Sequence, residues 1–148
     1  MKLSRRLFIR SAAAAAAVIA LPRTLLAWPE KAFEAKSQDD TLKALFGTTD
    51  ASESSAVVLN APDIAENGAV VPVSVSSSLE GVESISIIVT ENPSPLAASF
   101  DLGPNAVADV STRLKMGKTS NVMAVVKADG KLYTAAKEVK VTIGGCGG

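Results

Sequence analysis

Apolar and polar positions alternate along much of the chain after residue 56. The segments 71–76 and 84–89 place valine or isoleucine at every second position. A period of two is typical of a strand that buries one face. Pro72 cannot donate a backbone hydrogen bond, which predicts that its strand lies at an edge or bulges there. Further apolar runs predict strands at 57–59, 107–116, 121–128, 132–136 and 139–143.

Turn signals separate these segments. The two prolines in 91–95 break regular pairing, and Asp129-Gly130 predicts a type I′ hairpin turn, in which both central residues have positive φ. Short strands at even spacing with turns between them predict an all-β fold. We expect an immunoglobulin-like β-sandwich, with the strand order left open.

A short helical segment is predicted before the strands, over residues 29–46. Pro29 suits the first helical turn and Gly47 suits a helix end. Asp39 or Asp40 is expected to cap a second helical piece. Residues 28–143 are therefore expected to form one compact domain, in keeping with the length of 148 residues and the 47% apolar composition.

The first 27 residues predict an export signal. Arg5-Arg6-Leu7-Phe8 is a twin-arginine pattern, and the alanine-rich run after it ends at Pro22-Arg23. This run is roughly half the ~20 residues of a membrane-spanning helix, so it is typical of a signal peptide. We predict cleavage after Ala27, export to the periplasm by the twin-arginine route and no membrane attachment afterwards. The alternative is an amphipathic surface helix.

Charge and composition argue against several classes of function. Five of the 15 basic residues and none of the 15 acidic residues lie in 1–27, so the remaining chain has a net charge of −5. Such a domain, with one Trp and one Tyr, is unsuited to binding nucleic acid. Histidine is absent, and a single cysteine forms neither an internal disulfide nor a thiolate metal cluster. We predict no catalytic residues, no metal site and no cofactor.

Charged side chains elsewhere are interpreted as structural. Two acidic groups are assigned to caps and turns rather than to acid-base chemistry. They are Asp39, Asp40, Asp50 and Glu53 in one group and Asp63 and Glu66 in the other. Solvated strand faces are expected for Lys115, Lys118, Lys127 and Lys131.

The chemistry is predicted at the C-terminus, in the segment 144–148. Glycine loses the most entropy when ordered, so Gly144, Gly145, Gly147 and Gly148 predict a mobile arm around Cys146. An unpaired cysteine is a liability in an oxidising compartment, which indicates that the thiol is used. The sequence therefore predicts that Cys146 is the reactive group of this chain. No sequence neighbour activates the thiol, so activation is expected from the enzyme that receives the arm.

The chain resembles the SoxY family, the sulfur-carrier subunits of the bacterial thiosulfate-oxidising Sox system. The most specific element is the strand 139–143 that leads into Gly-Gly-Cys-Gly-Gly. The resemblance also includes the twin-arginine leader and the segments 28–47, 61–68, 82–85 and 127–131.

This resemblance implies a heterodimer with a second small β protein, SoxZ. It implies that the cytochrome complex SoxAX joins Cys146 oxidatively to thiosulfate. The hydrolase SoxB then releases sulfate, and a sulfur dehydrogenase oxidises the sulfane sulfur that remains. The carrier itself catalyses none of these steps. Two alternatives stay open: a structural or adhesive β-sandwich linked by an intermolecular disulfide through Cys146, and a thiol enzyme such as a sulfurtransferase.

Overall fold

The computed structural model describes residues 29–142. The predicted leader, its cleavage site and the glycine-rich arm with Cys146 lie outside these residues. The described helices are α1 (Glu30–Glu34) and α2 (Gln38–Phe46). The described strands are β1 (Ser52–Glu53), β2 (Val57–Asn60), β3 (Ile64–Ala65), β4 (Val71–Ser77), β5 (Val82–Val89), β6 (Leu96–Asp101), β7 (Asp109–Leu114), β8 (Ser120–Ala128) and β9 (Lys131–Val141).

Two sheets form the body of the domain. The larger sheet has the order β1-β9-β8-β5-β6, and β3 also pairs with β9. The smaller sheet has the order β2-β4-β7. The two short strands β1 and β3 run parallel to β9, whereas all other described pairs are antiparallel. The predicted immunoglobulin-like β-sandwich with an N-terminal helical segment is confirmed.

The main hydrophobic core lies between the two sheets. It takes every second residue from three strands, as the period of two predicts for strands that bury one face. The contributing side chains are at most 3% exposed. They are Val71, Val73 and Val75 of β4, Ile85, Ile87 and Val89 of β5, and Val122, Ala124 and Val126 of β8.

A second apolar cluster lies on the outer face of the larger sheet. Ile88 and Val125 of the sheet pack there with Ala32 and Leu42 of the two helices. This cover explains why residues 84–89 of β5 are buried throughout, although their alternation predicts only one buried face. The helical segment therefore adds a third layer to the sandwich. Within residues 29–142, no helix is long and apolar enough to cross a membrane.

The helical segment has the predicted extent but a different cap. The Ser37 hydroxyl accepts a hydrogen bond from the Asp40 amide at 3.1 Å, so Ser37 caps α2. The prediction of Asp39 or Asp40 as the cap is wrong, because both lie in the first turn, where a carboxylate favours the positive end of the helix dipole. Gly47 ends the helix with φ 75°, as predicted.

Loss of the Ser37 cap should lower the stability of the domain. We expect Ser37→Ala to lower the free energy of unfolding by about 1 kcal/mol, because the Asp40 amide loses its acceptor. Urea unfolding followed by far-UV circular dichroism measures this change. The matched control is Ser55→Ala, at an exposed serine in the turn before β2. An equal loss in both variants would contradict the capping role.

The strand predictions need three corrections. The separate strands predicted at 132–136 and 139–143 are one strand, β9, because β8 pairs without interruption across Lys137 and Glu138. The predicted strand 107–116 is shorter, as β7. The strands β1, β3 and β6 were not predicted. Their formation depends on pairing with β9 and β5, which local sequence does not report.

Two turn predictions have clear outcomes. Asp129 and Gly130 have φ values of 49° and 72°, which confirms the hairpin turn with positive φ at both residues. The prediction for Pro72 is wrong in its simple form, because β4 is the central strand of the smaller sheet. However, the pairing of β2 with β4 ends at Ser74, so at Pro72 the strand has only β7 beside it.

Candidate functional site

β9 determines where the C-terminal segment leaves the domain. It begins at the Asp129-Gly130 hairpin and runs for 11 residues, roughly 35 Å, to the opposite end of the larger sheet. The loops at that end are 61–70, 90–95 and 115–119. We call this end the arm-root end. Cys146 follows four residues after Thr142, the last described residue.

Hydrogen bonds from side chains and backbone hold the loops at the arm-root end together. The Asn92 side chain donates to the Lys115 carbonyl at 2.7 Å and accepts from the Gly117 amide at 3.2 Å. The Met116 amide donates to the Gly68 carbonyl at 2.7 Å. The Ser94 hydroxyl donates to the Phe33 carbonyl, which joins the same end to α1. These bonds give the chain a structured surface at the point where it leaves β9.

The basic side chains of this end are partly paired with carboxylates. The Lys118 ammonium lies 2.9 Å from Glu91, and the Lys137 ammonium lies 2.9 Å from Asp63. Lys137 also donates to the Ala61 carbonyl at 2.6 Å. Since Lys137 is turned to the 61–63 segment, it is not free to activate a thiol on the arm.

Two exposed apolar side chains lie near the same end. Ile64 is 57% exposed on β3, and Val70 is 49% exposed just before β4. Their neighbours in the chain contribute to the main core, so the exposure is confined to these single positions. Single exposed apolar residues are common on protein surfaces and do not by themselves define an interface.

The predicted acidic groups have structural partners rather than a shared centre. The Asp40 carboxylate, in the first turn of α2, accepts a hydrogen bond from the Ser37 hydroxyl at 2.7 Å, and Asp63 pairs with Lys137. Two of the predicted solvated lysines also have partners, since Lys118 contacts Glu91 and Lys127 contacts Glu83. Among residues 29–142, no three acidic side chains lie close enough to hold a metal ion.

The opposite end of the domain contains the one clear pKa shift in the described part of the chain. A hydrogen bond from Lys127 lowers the pKa of Glu83 below its usual 4.5, and a bond from the Gly130 amide at 3.2 Å lowers it further. These bonds stabilise the carboxylate on β5 beside the hairpin that begins β9. Glu83 therefore fastens the start of the strand whose other end leads to Cys146.

The Glu83 contact predicts a defined pH dependence of stability. Because the folded-state pKa is lowered, its contribution is present above the usual carboxyl pKa and is lost as the pH falls through the lowered value. We expect Glu83→Gln to be less stable than wild type near pH 7 and equal to it near pH 2. Urea unfolding at both pH values measures the difference. The control Glu80→Gln changes an exposed carboxylate in the preceding turn; if it showed the same pH profile, the specific contact would be refuted.

A groove lies elsewhere, on the smaller sheet. It has a volume of about 860 Å³ and is lined by Asn60, Pro62, Pro72, Ser74 and Arg113 among others. None of the predicted site residues lines it.

The comparisons with known proteins agree with the fold. The family model of the sulfur oxidation protein SoxY matches residues 42–146, a region that ends at Cys146. The structure of the sulfur carrier protein SoxY from Chlorobium limicola f thiosulfatophilum is 51% identical, with a TM-score of 0.65. The match covers 71% of this chain and 96% of that chain. A search of curated proteins gives no match.

The chain is thus a sulfur carrier of the sulfur-oxidation type, built on a β-sandwich. The chain belongs to the SoxY family. Members of this family partner with SoxZ in the Sox system.

Proposed function

We propose that this protein carries thiosulfate-derived sulfur covalently on Cys146 and presents it to the enzymes of the Sox pathway in the periplasm. The observation that carries the proposal is the family match, which runs through the whole β-sandwich and ends at Cys146. The fold supports it, because β9 leads the chain to one end of the domain immediately before the glycine-rich segment.

The first proposed step joins the thiol to thiosulfate. The thiol loses its proton, a new sulfur–sulfur bond forms between Cys146 and the outer sulfur of thiosulfate, and two electrons leave. The SoxAX cytochrome complex accepts these electrons. A second step on SoxB adds water to the sulfonate sulfur, which breaks the adjacent sulfur–sulfur bond. Sulfate and a proton are released, and a persulfide stays on Cys146 for a sulfur dehydrogenase.

The chain's own part in these steps is to hold and deliver the sulfur. A tethered intermediate meets successive active sites without dissociating, so the tether sets its local concentration. We propose that the chain uses no cofactor, catalyses no step alone and works as a heterodimer with a SoxZ-like subunit. Assembly with this partner in the cytoplasm would explain the use of the twin-arginine route, which exports folded proteins. Residues 1–27 are removed after export.

Reconstituted thiosulfate oxidation tests this proposal. The mature chain, SoxZ, SoxAX, SoxB and a sulfur dehydrogenase are mixed, and thiosulfate-dependent cytochrome reduction is followed. We expect turnover that depends on the chain, and none from the chain by itself. Turnover by the isolated chain would support a thiol enzyme instead. Turnover that does not depend on the chain would contradict the carrier role and would favour a structural module joined by a disulfide.

A further inference from the structure

We propose that three contacts on the last residues of β9 form a clamp that fixes the root of the carrier arm, with Thr119 as a positioning residue. The three contacts are β3, the Thr119 side chain and Gly68. This inference rests on the proposed carrier function of Cys146. It adds residues far from the cysteine in sequence that determine how far the cysteine reaches.

β3 holds one edge of β9. Lys140 and Val141 pair in parallel with Ile64 and Ala65. The Lys140 amide donates to the Asp63 carbonyl at 3.0 Å, and the Thr142 amide donates to the Ala65 carbonyl at 3.2 Å. A strand of two residues has little stability of its own, so β3 and the end of β9 hold each other in place through these bonds.

Thr119 holds the other edge. The backbone pairing of β8 with β9 ends at Ser120 and Val139. Beyond that pair, the Val141 amide donates to the Thr119 hydroxyl oxygen at 3.0 Å. The side chain therefore continues the ladder past the point where the backbone of β8 has ended, and residues 140–142 are held from both sides.

Gly68 closes the clamp against the Val141 side chain. Val141 is half-buried and packs against the main core. A Cβ atom at Gly68 would lie 2.9 Å from Val141 Cγ1 and 2.4 Å from the Met116 carbonyl oxygen. Since neither distance is tolerated, only glycine allows this close approach. Lys137 lies four residues before Val141 on β9. Its contacts with Asp63 and with the Ala61 carbonyl hold the segment just before β3 against β9.

The clamp sets the length of the free arm. With residues up to Thr142 held, the arm to Cys146 contains four residues, counting the cysteine, which span at most about 14 Å at 3.3–3.6 Å per residue. If residues 140–142 were released, the arm would begin after Val139 and would contain seven residues. Effective concentration falls roughly as the −3/2 power of tether length, so delivery would weaken about twofold. A short, fixed root thus favours transfer into a neighbouring enzyme.

Hydrogen–deuterium exchange on the mature protein tests the clamp directly. We expect Thr119→Val to raise the exchange of the Val141 and Thr142 amides roughly fivefold, the factor expected for loss of one net hydrogen bond. Thr119→Ser retains the hydroxyl and should restore protection. The matched control is Thr48→Val, which removes an equivalent bond, since the Thr48 hydroxyl accepts from the Asp50 amide at 3.0 Å. This control should leave Val141 and Thr142 unchanged.

Loading kinetics test the positioning role separately. In the reconstituted system we expect Thr119→Val to raise KM for the carrier by at most about twofold, the limit for complete release of residues 140–142, with kcat unchanged. Thr48→Val should change neither. Unchanged exchange at Val141 and Thr142 in Thr119→Val would overturn the clamp. Faster exchange with an unchanged KM would overturn its role in delivery. If wild type is not loaded at all, the carrier function fails, while the exchange experiment still decides whether the clamp exists.

Discussion

Cys146→Ser is expected to fold like wild type and to support no thiosulfate-dependent turnover. A serine hydroxyl does not form the sulfur–sulfur bond that holds the intermediate, so the loss should be complete rather than partial. Cys146 is the only cysteine in the sequence, so no second thiol is present to substitute for it. Cytochrome reduction in the reconstituted system measures turnover, and circular dichroism shows that the fold is retained.

A relocated cysteine separates the presence of a thiol from its position. The double variant Cys146→Ser with Lys131→Cys has one exposed thiol beside the hairpin, at the end of β9 opposite the arm. We expect this variant to remain inactive. Restored turnover would contradict the account, because it would show that any exposed thiol on this domain serves.

Ile87→Ala is expected to lower the free energy of unfolding more than any other single substitution named above. Ile87 is fully buried between the two sheets, on β5, which lies between β8 and β6 in the larger sheet. Removing most of its side chain loses apolar burial and leaves a cavity, which costs about 2–5 kcal/mol. We therefore expect a lower urea midpoint and a lower yield of folded protein.

The control for this prediction is Val107→Ala. Val107 is 81% exposed in the loop before β7, so its truncation should change the free energy of unfolding by less than about 0.5 kcal/mol. Similar losses for Ile87→Ala and Val107→Ala would contradict the placement of the core between the sheets.

The sequence pattern predicted those parts of the fold that depend on interactions between residues close together in the chain. The Asp129-Gly130 turn, the helix end at Gly47 and the alternation in β4 each depend on residues within a few positions of one another. By contrast, β6 contains Ala97 and Ala98, whose low strand propensity conceals it, and it forms because β5 provides a partner. β1 and β3 have only two residues each and exist because β9 is beside them.

The candidate site divides in the same way. Cys146 and its glycines are evident from the sequence, because a single cysteine with two glycines on each side stands out in it. The clamp was not predictable, since Thr119 and Ala65 are far from Val141 in sequence and meet it only through the sheet. Gly68 gave a partial signal, as a glycine that ends the segment 61–68 on which the family resemblance rests in part.

Intact mass of the protein purified from cells oxidising thiosulfate tests the carrier role most directly. The account predicts adducts on the mature chain that reductant removes, with masses corresponding to a bound thiosulfate and to an added sulfur atom. These adducts should map to Cys146 and should be absent from Cys146→Ser. A free thiol, or a simple disulfide dimer, as the only species during active thiosulfate oxidation would contradict it.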